Sequence, residues 1–161
     1  MSLTHFDSNG KAQMVDVSFK EDTVREAVAR GTIRVSEAVY RAVAEQTAKK
    51  GDVLAVATVA GVQGAKKTSE LIPLCHILPL SGCDLQWQLR AADGQYYIDC
   101  RCRVSCTGKT GVEMEALTGV STALLTVYDM CKAMDRGMCI ERIALAEKKG
   151  GKSGHYVRDE K

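Results

Sequence analysis

The sequence predicts an α+β sandwich in which helices cover one face of an antiparallel sheet. Three observations carry that reading. Two strongly alternating segments are joined by A-A-D-G, a long amphipathic stretch follows them, and the patterns run extended, helical, helical, hairpin, helical, extended. With 161 residues, 45% of them hydrophobic and 26% charged, the chain suits one ordinary core and one domain over 1-161. A loose arm is expected over about 1-14 and a basic, glycine-containing tail over about 150-161.

The first element is the segment Thr23 to Val35, read as extended despite imperfect alternation. Ser36 then suits an N-cap, with Val35 and Tyr40 spaced as a hydrophobic staple and a helix closing near Gly51. Asp52 can cap the next segment, where Ala57, Gly61, Gly64, Ala65 and Thr68 fall at helical spacing and predict close packing against another backbone. A strand is the rival reading of its β-branched first half. In the hairpin, Cys83, Leu85, Trp87 and Leu89 share one face, as do Tyr96, Ile98, Cys100, Cys102, Val104 and Cys106. A helix from about Val112 to Met134 should turn Leu117, Val120, Leu124, Val127 and Cys131 to the core, leaving Glu115, Thr118, Thr122, Asp129 and Lys132 opposite. The run C-I-E-R-I-A-L-A supplies a last strand.

Several function classes are disfavoured by composition. No run approaches the roughly 20 apolar residues of a membrane span, and the first ten residues do not read as a signal peptide, so a cytoplasmic protein is the expectation. Seven cysteines without regular spacing read as reduced thiols. A net charge of +2 argues against a dedicated nucleic-acid binder, yet lysines cluster at 49-50, 66-67, 109, 132, 148-149 and 152. Solvated helix ends and loops explain any single pair; a polyanionic small ligand explains the set.

Four features bear on chemistry. The only two prolines flank Cys75 and His76 in L-I-P-L-C-H-I-L-P-L, which suits a metal site, a nucleophile with its base, a ligand pocket or a core histidine. Cys100 and Cys106 share a strand face but lie about 20 Å apart at roughly 3.3 Å per residue, too far for one ion. Gly108-Lys109-Thr110 and Gly151-Lys152-Ser153 lack the glycine five residues upstream that a phosphate-binding P-loop needs, having Arg103 and Ala146 there. A looser anion-binding nest or plain flexible turns stay open. Asp129 and Lys132 are an i, i+3 pair, either an ordinary surface ion pair or a working one. Fourteen residues of helix separate Glu115 from Asp129, about 21 Å, so a site using both needs two centres per chain or a second subunit.

With these residues in view, the chain resembles the molybdenum cofactor biosynthesis protein C family, the cyclic pyranopterin monophosphate synthases. The likeness runs through M-V-D-V at Met14, T-V-R-E-A at Thr23, K-G-D-V at Lys50, A-K-K-T at Ala65, L-I-P-L-C-H at Leu71, T-G-K-T-G-V-E-M-E-A-L-T at Thr107, Y-D-M-C-K-A at Tyr128 and G-G-K-S-G at Gly150. Cys106 departs from the leucine expected before the sixth block, a packing substitution.

The resemblance implies a ferredoxin-like antiparallel sheet with helices packed on one face. It implies a homo-hexamer, a trimer of dimers with sites at subunit interfaces. It also implies a lyase that converts 3′,8-cyclo-7,8-dihydro-GTP to cyclic pyranopterin monophosphate with release of pyrophosphate. Carried over by motif, Asp129 and Lys132 are the implied catalytic pair. Leu74, Cys75, His76, Met114 and Glu115 are implied substrate-binding positions, followed by Glu113, Lys50, Lys66, Arg25 and Lys148. The reading requires no cofactor and no structural metal; magnesium can accompany the triphosphate, and no membrane or nucleic-acid partner is implied. The main rival is a ligand-sensing module on the same scaffold that binds a nucleotide without reacting.

Overall fold

The computed structural model describes residues 10–152 and 154–159. Strands β1 (Thr23–Val35), β2 (Leu80–Ala92), β3 (Gln95–Gly108), β4 (Cys139–Lys149) and β5 (Tyr156–Val157) form one sheet in the order β2-β3-β1-β4-β5. Every neighbouring pair is antiparallel. Helices α1 (Glu37–Ala44), α2 (Val53–Lys66) and α3 (Thr68–Leu71) lie between β1 and β2, and α4 (Glu113–Cys131) between β3 and β4. Apart from the short β5, this is the β-α-β-β-α-β wiring of a ferredoxin-like fold.

The central strand shows why the layers close. On β1, Ala27, Ala29 and Ile33 are fully buried on the helix-facing side, and Gly31 shares their parity. A Cβ at Gly31 would run into Val120 and Leu124 of α4, so this position lets the helix settle close to the strand. Across the hairpin, Ile98, Cys100, Cys102, Val104 and Cys106 are buried as their alternation predicts. The cysteines are free thiols packed as small apolar groups. Asp93 and Gly94 both take positive φ, 52° and 72°, which matches the twist of a two-residue hairpin turn.

The segment read as either helix or strand after Asp52 is helical. Asp52 accepts from the Ala55 N–H, and the small residues predicted to pack closely do so. A Cβ on Gly61 would stand 3.1 Å from the Gly119 carbonyl and 3.2 Å from Ala123, and one on Gly64 would overlap Thr122. Helix α2 thus covers the Thr118–Thr122 side of α4, which the sequence pattern assigned to solvent. Trp87 joins this layer by donating from Nε1 to Thr58 Oγ1 at 2.9 Å.

Two helix ends differ from expectation. Ser36 does cap α1, but that helix stops at Ala44 rather than near Gly51. Gln46 takes φ 56°, Gln46 N–H donates to Val43 O and Thr47 N–H to Ala42 O, the paired bonds of a Schellman end. Helix α4 ends at Cys131, three residues short of Met134. Within the basic tail, Tyr156 and Val157 add an edge strand against Lys148 and Glu147. The first nine residues of the expected N-terminal arm lie outside the described residues.

Candidate functional site

The helix α4 carries a candidate group at each end. At its C-terminal end, Lys132 Nζ sits 2.6 Å from Asp129 Oδ1. Lys50, delivered from the turn before α2, places Nζ 3.6 Å from Asp129 Oδ2 and donates to the Asp129 main-chain carbonyl at 3.2 Å. Two ammonium groups from distant parts of the chain therefore share one carboxylate, more than a helical i, i+3 pair provides. Lys132, then Lys50, hold the Asp129 carboxyl below its usual pKa. The three side chains are about half exposed and open to a ligand.

At the N-terminal end stands Glu115, which the helical pattern assigned to the solvent side. The structure corrects this: Glu115 is only 4% exposed. The chain leaving α3 turns at Ile72–Cys75, where Cys75 N–H donates to Ile72 O, and brings Cys75 and His76 close enough for the Glu115 charge to act on both. Burial raises the Glu115 pKa, with Glu113 adding repulsion. Burial likewise raises the Cys75 thiol, so Cys75 is not an activated nucleophile.

The half-buried His76 ring is held through Nε2, 2.8 Å from the Val15 carbonyl. Because a carbonyl can only accept, that ring nitrogen carries the proton. Leu74 is half-buried in the same turn, and Met114 is 38% exposed on the first turn of α4. A metal reading of this turn finds no support: among the described residues, no group of three or more His, Cys, Asp and Glu side chains could hold an ion.

Beside this end opens a cleft of about 850 Å³ where the two Gly-Lys turns meet. Lys20, Arg25, Lys109, Lys148, Lys149 and Lys152 line it against Glu21, Glu26 and Glu113, six cations to three carboxylates. One carboxylate is already engaged, since Glu26 pairs with Arg103 and Lys149. The Glu113 carboxylate folds over the Cα of Gly111, where a Cβ would stand. The segment before β1 borders the cleft through Phe19, Lys20 and Glu21, tied down by Lys109 Nζ donating to Ser18 O at 2.8 Å.

Of the positions singled out from sequence, Arg25, Glu113 and Lys148 line this cleft, while Cys75, His76 and Glu115 gather beside it. Asp129, Lys132 and Lys50 form the separate group at the other end of α4. Lys66 lies in neither group; it is exposed at the end of α2 and acts electrostatically on Cys83. Sequence reasoning left Lys109 and Lys152 out of the candidate site. Their signal was present in the two Gly-Lys triplets, which fail as P-loops and succeed as turns brought together by folding. A larger cleft of about 960 Å³ on the helix-free face contains none of the candidate residues. Its Arg90 is paired with Asp99, and Arg158 Nε donates to Leu145 O.

Fold and site define an α+β protein with a cationic cleft at one end of its long helix and a lysine-bracketed carboxylate at the other. The MoaC family model matches residues 14–151. The cyclic pyranopterin monophosphate synthase of Heliobacterium modesticaldum is 58% identical over 158 residues, spanning 98% of each chain. The synthase of that name from Geobacillus sp. strain WCH70 is 52% identical over 160 residues, 98% of this chain and 92% of the relative. That from Thermoanaerobacter sp. strain X514 is 53% identical over 159 residues, 99% of each. The chain belongs to the MoaC family.

Proposed function

We propose that the protein is a cyclic pyranopterin monophosphate synthase, a lyase acting on 3′,8-cyclo-7,8-dihydro-GTP in molybdenum cofactor biosynthesis. The carrying observation is the meeting of Lys50 and Lys132 at Asp129, in a chain 58% identical to a synthase of that name over almost its whole length. The rearrangement opens the guanine-derived five-membered ring, forms a pyrazine ring, closes a cyclic phosphate and expels pyrophosphate. Each stage moves protons, which a positioned carboxylate and amine can carry. Asp129 is ionised while two ammonium groups face it; when these turn to a polyanionic substrate, the carboxylate regains basicity and can accept a proton. Lysines of the cleft would then stabilise charge on the departing pyrophosphate.

The two ends of α4 assign different tasks to different places. Glu115 and Asp129 are separated by about 21 Å of helix, beyond the reach of one compact nucleotide from one straight face. In this reading the site is completed in a dimer, with the His76–Glu115 cleft of one subunit facing the Asp129–Lys132 group of its partner, within a trimer of dimers. Magnesium, where it takes part, arrives with the triphosphate. No helix among the described residues is long and apolar enough to cross a membrane, in keeping with a cytoplasmic enzyme in this scheme.

Purified protein supplied with cyclised dihydro-GTP should release pyrophosphate and the pterin product in equal amounts, followed by a coupled phosphate assay and pterin fluorescence. Binding without either product would instead favour the nucleotide-sensing module.

A further inference from the structure

The guanidinium of Arg25 is the buried cation of the cleft, and the fold itself uses it. Its parity on β1 places it on the side of Ala27 and Ala29, and only 9% of the residue is exposed. Nε donates to the Gly108 carbonyl at 3.2 Å and a terminal nitrogen, Nη2, donates to the Lys109 carbonyl at 3.3 Å. The rest of the guanidinium lies over the Cα of Gly151, where a Cβ would overlap Nη1. At neighbouring Gly150 a Cβ would overlap the Val24 carbonyl, so the second turn is pressed on β1 at two successive residues. Gly150 and Gly151 take φ of +96° and +74°, backbone that other residues enter with strain.

We propose that Arg25 is a positioning residue, a clasp that joins the Gly108-Lys109 turn to the Gly150-Gly151 turn and so aims Lys109 and Lys152 into one cleft. This rests on the reading of the cleft as the place where the substrate's phosphates bind. Two lysine-bearing loops ordered independently would each lose chain entropy when an anion arrives; with one turn hydrogen-bonded to the guanidinium and the other packed against it, that loss is met on folding. A planar fork suits the task better than an ammonium, because it bonds two carbonyls in fixed relative positions. Arg25 thus serves the anion through the turns rather than chiefly as another phosphate ligand.

The test separates geometry from charge. Gly151→Ala removes no charge but puts a methyl where Arg25 lies. Gly154→Ala imposes comparable backbone strain at φ +64° with nothing within 4 Å of the new Cβ. Binding of inorganic tripolyphosphate by calorimetry should weaken roughly tenfold in Gly151→Ala and stay at the wild-type value in Gly154→Ala. Arg25→Lys, which keeps the charge and loses the fork, should weaken binding as much as Gly151→Ala. In turnover assays both affected variants should raise KM more than they lower kcat. Wild-type affinity in Gly151→Ala, equal losses in the two glycine variants, or full affinity in Arg25→Lys would each overturn the clasp. Tripolyphosphate binding that follows this pattern in a protein without synthase turnover would refute the functional reading and leave the clasp standing.

Discussion

Asp129→Asn should lower kcat about 100- to 10,000-fold, the range lost when a positioned proton-transfer group is removed. The replacement keeps the shape of the side chain and deletes the charge that Lys132 meets at 2.6 Å and Lys50 at 3.6 Å. All three side chains are about half exposed, so the folded state does not depend on them and the melting temperature should remain that of the parent. A loss of stability without loss of turnover would describe a structural ion pair. A loss of turnover in a normally folded protein is the expected result, read from pyrophosphate release and a thermal melt on the same preparation. Lys132→Ala should fall in the same range of kcat. If both variants turn over like the parent, proton transfer resides elsewhere.

Gly61→Val should give the largest loss of stability. The first atom added would stand 3.1 Å from the Gly119 carbonyl and 3.2 Å from the Ala123 methyl, at the contact between two helices. Backbone on one side cannot rotate away as a side-chain tip can, and a β-branched residue has little rotamer freedom in a helix. Overpacking of this kind costs about 3 kcal/mol, or roughly 6–12 °C in melting temperature for a chain of this size. A melt within 2 °C of wild type, on the order of the error of such a comparison, would show that α2 can lift from α4 at little cost.

The sequence disclosed most of the scaffold because each of its elements announces itself locally. Alternation marked both strands of the hairpin, Asp93-Gly94 marked its turn, and Ser36 and Asp52 marked two helix starts, all as found. Small residues on α2 foretold a close helix contact, which the packing of Gly61 and Gly64 on α4 confirms. What stayed hidden depended on partners far along the chain. Glu115 falls opposite the core stripe on a helical wheel, and the wheel cannot show its burial or the turn that brings Cys75 and His76 within range of its charge. The end of α1 was hidden for another reason: Gln46 takes the left-handed conformation usually signalled by glycine.

The same distinction holds for the candidate site. Asp129 and Lys132 are neighbours on one helix, so their pairing is legible; the arrival of Lys50, 79 residues earlier, is not. Nor can spacing reveal that two Gly-Lys turns 43 residues apart border one cleft, since only the folded β1 brings them to Arg25. The resemblance to a family supplied residue roles and implied sites at subunit interfaces, which suits residues held at opposite ends of α4. The proposed answer is a second subunit that brings the two ends together.

Mixing two inactive variants tests the proposed shared site most directly. Asp129→Asn disables the group at one end of α4 and Glu115→Gln the group at the other, so each pure variant should be nearly inactive. When the two are unfolded together and reassembled in equal amounts, random pairing leaves about a quarter of the shared sites free of either substitution. The predicted result is recovery of about a quarter of wild-type turnover. Activity no higher than that of the separate variants, in protein shown to have exchanged subunits, would contradict a site shared between chains.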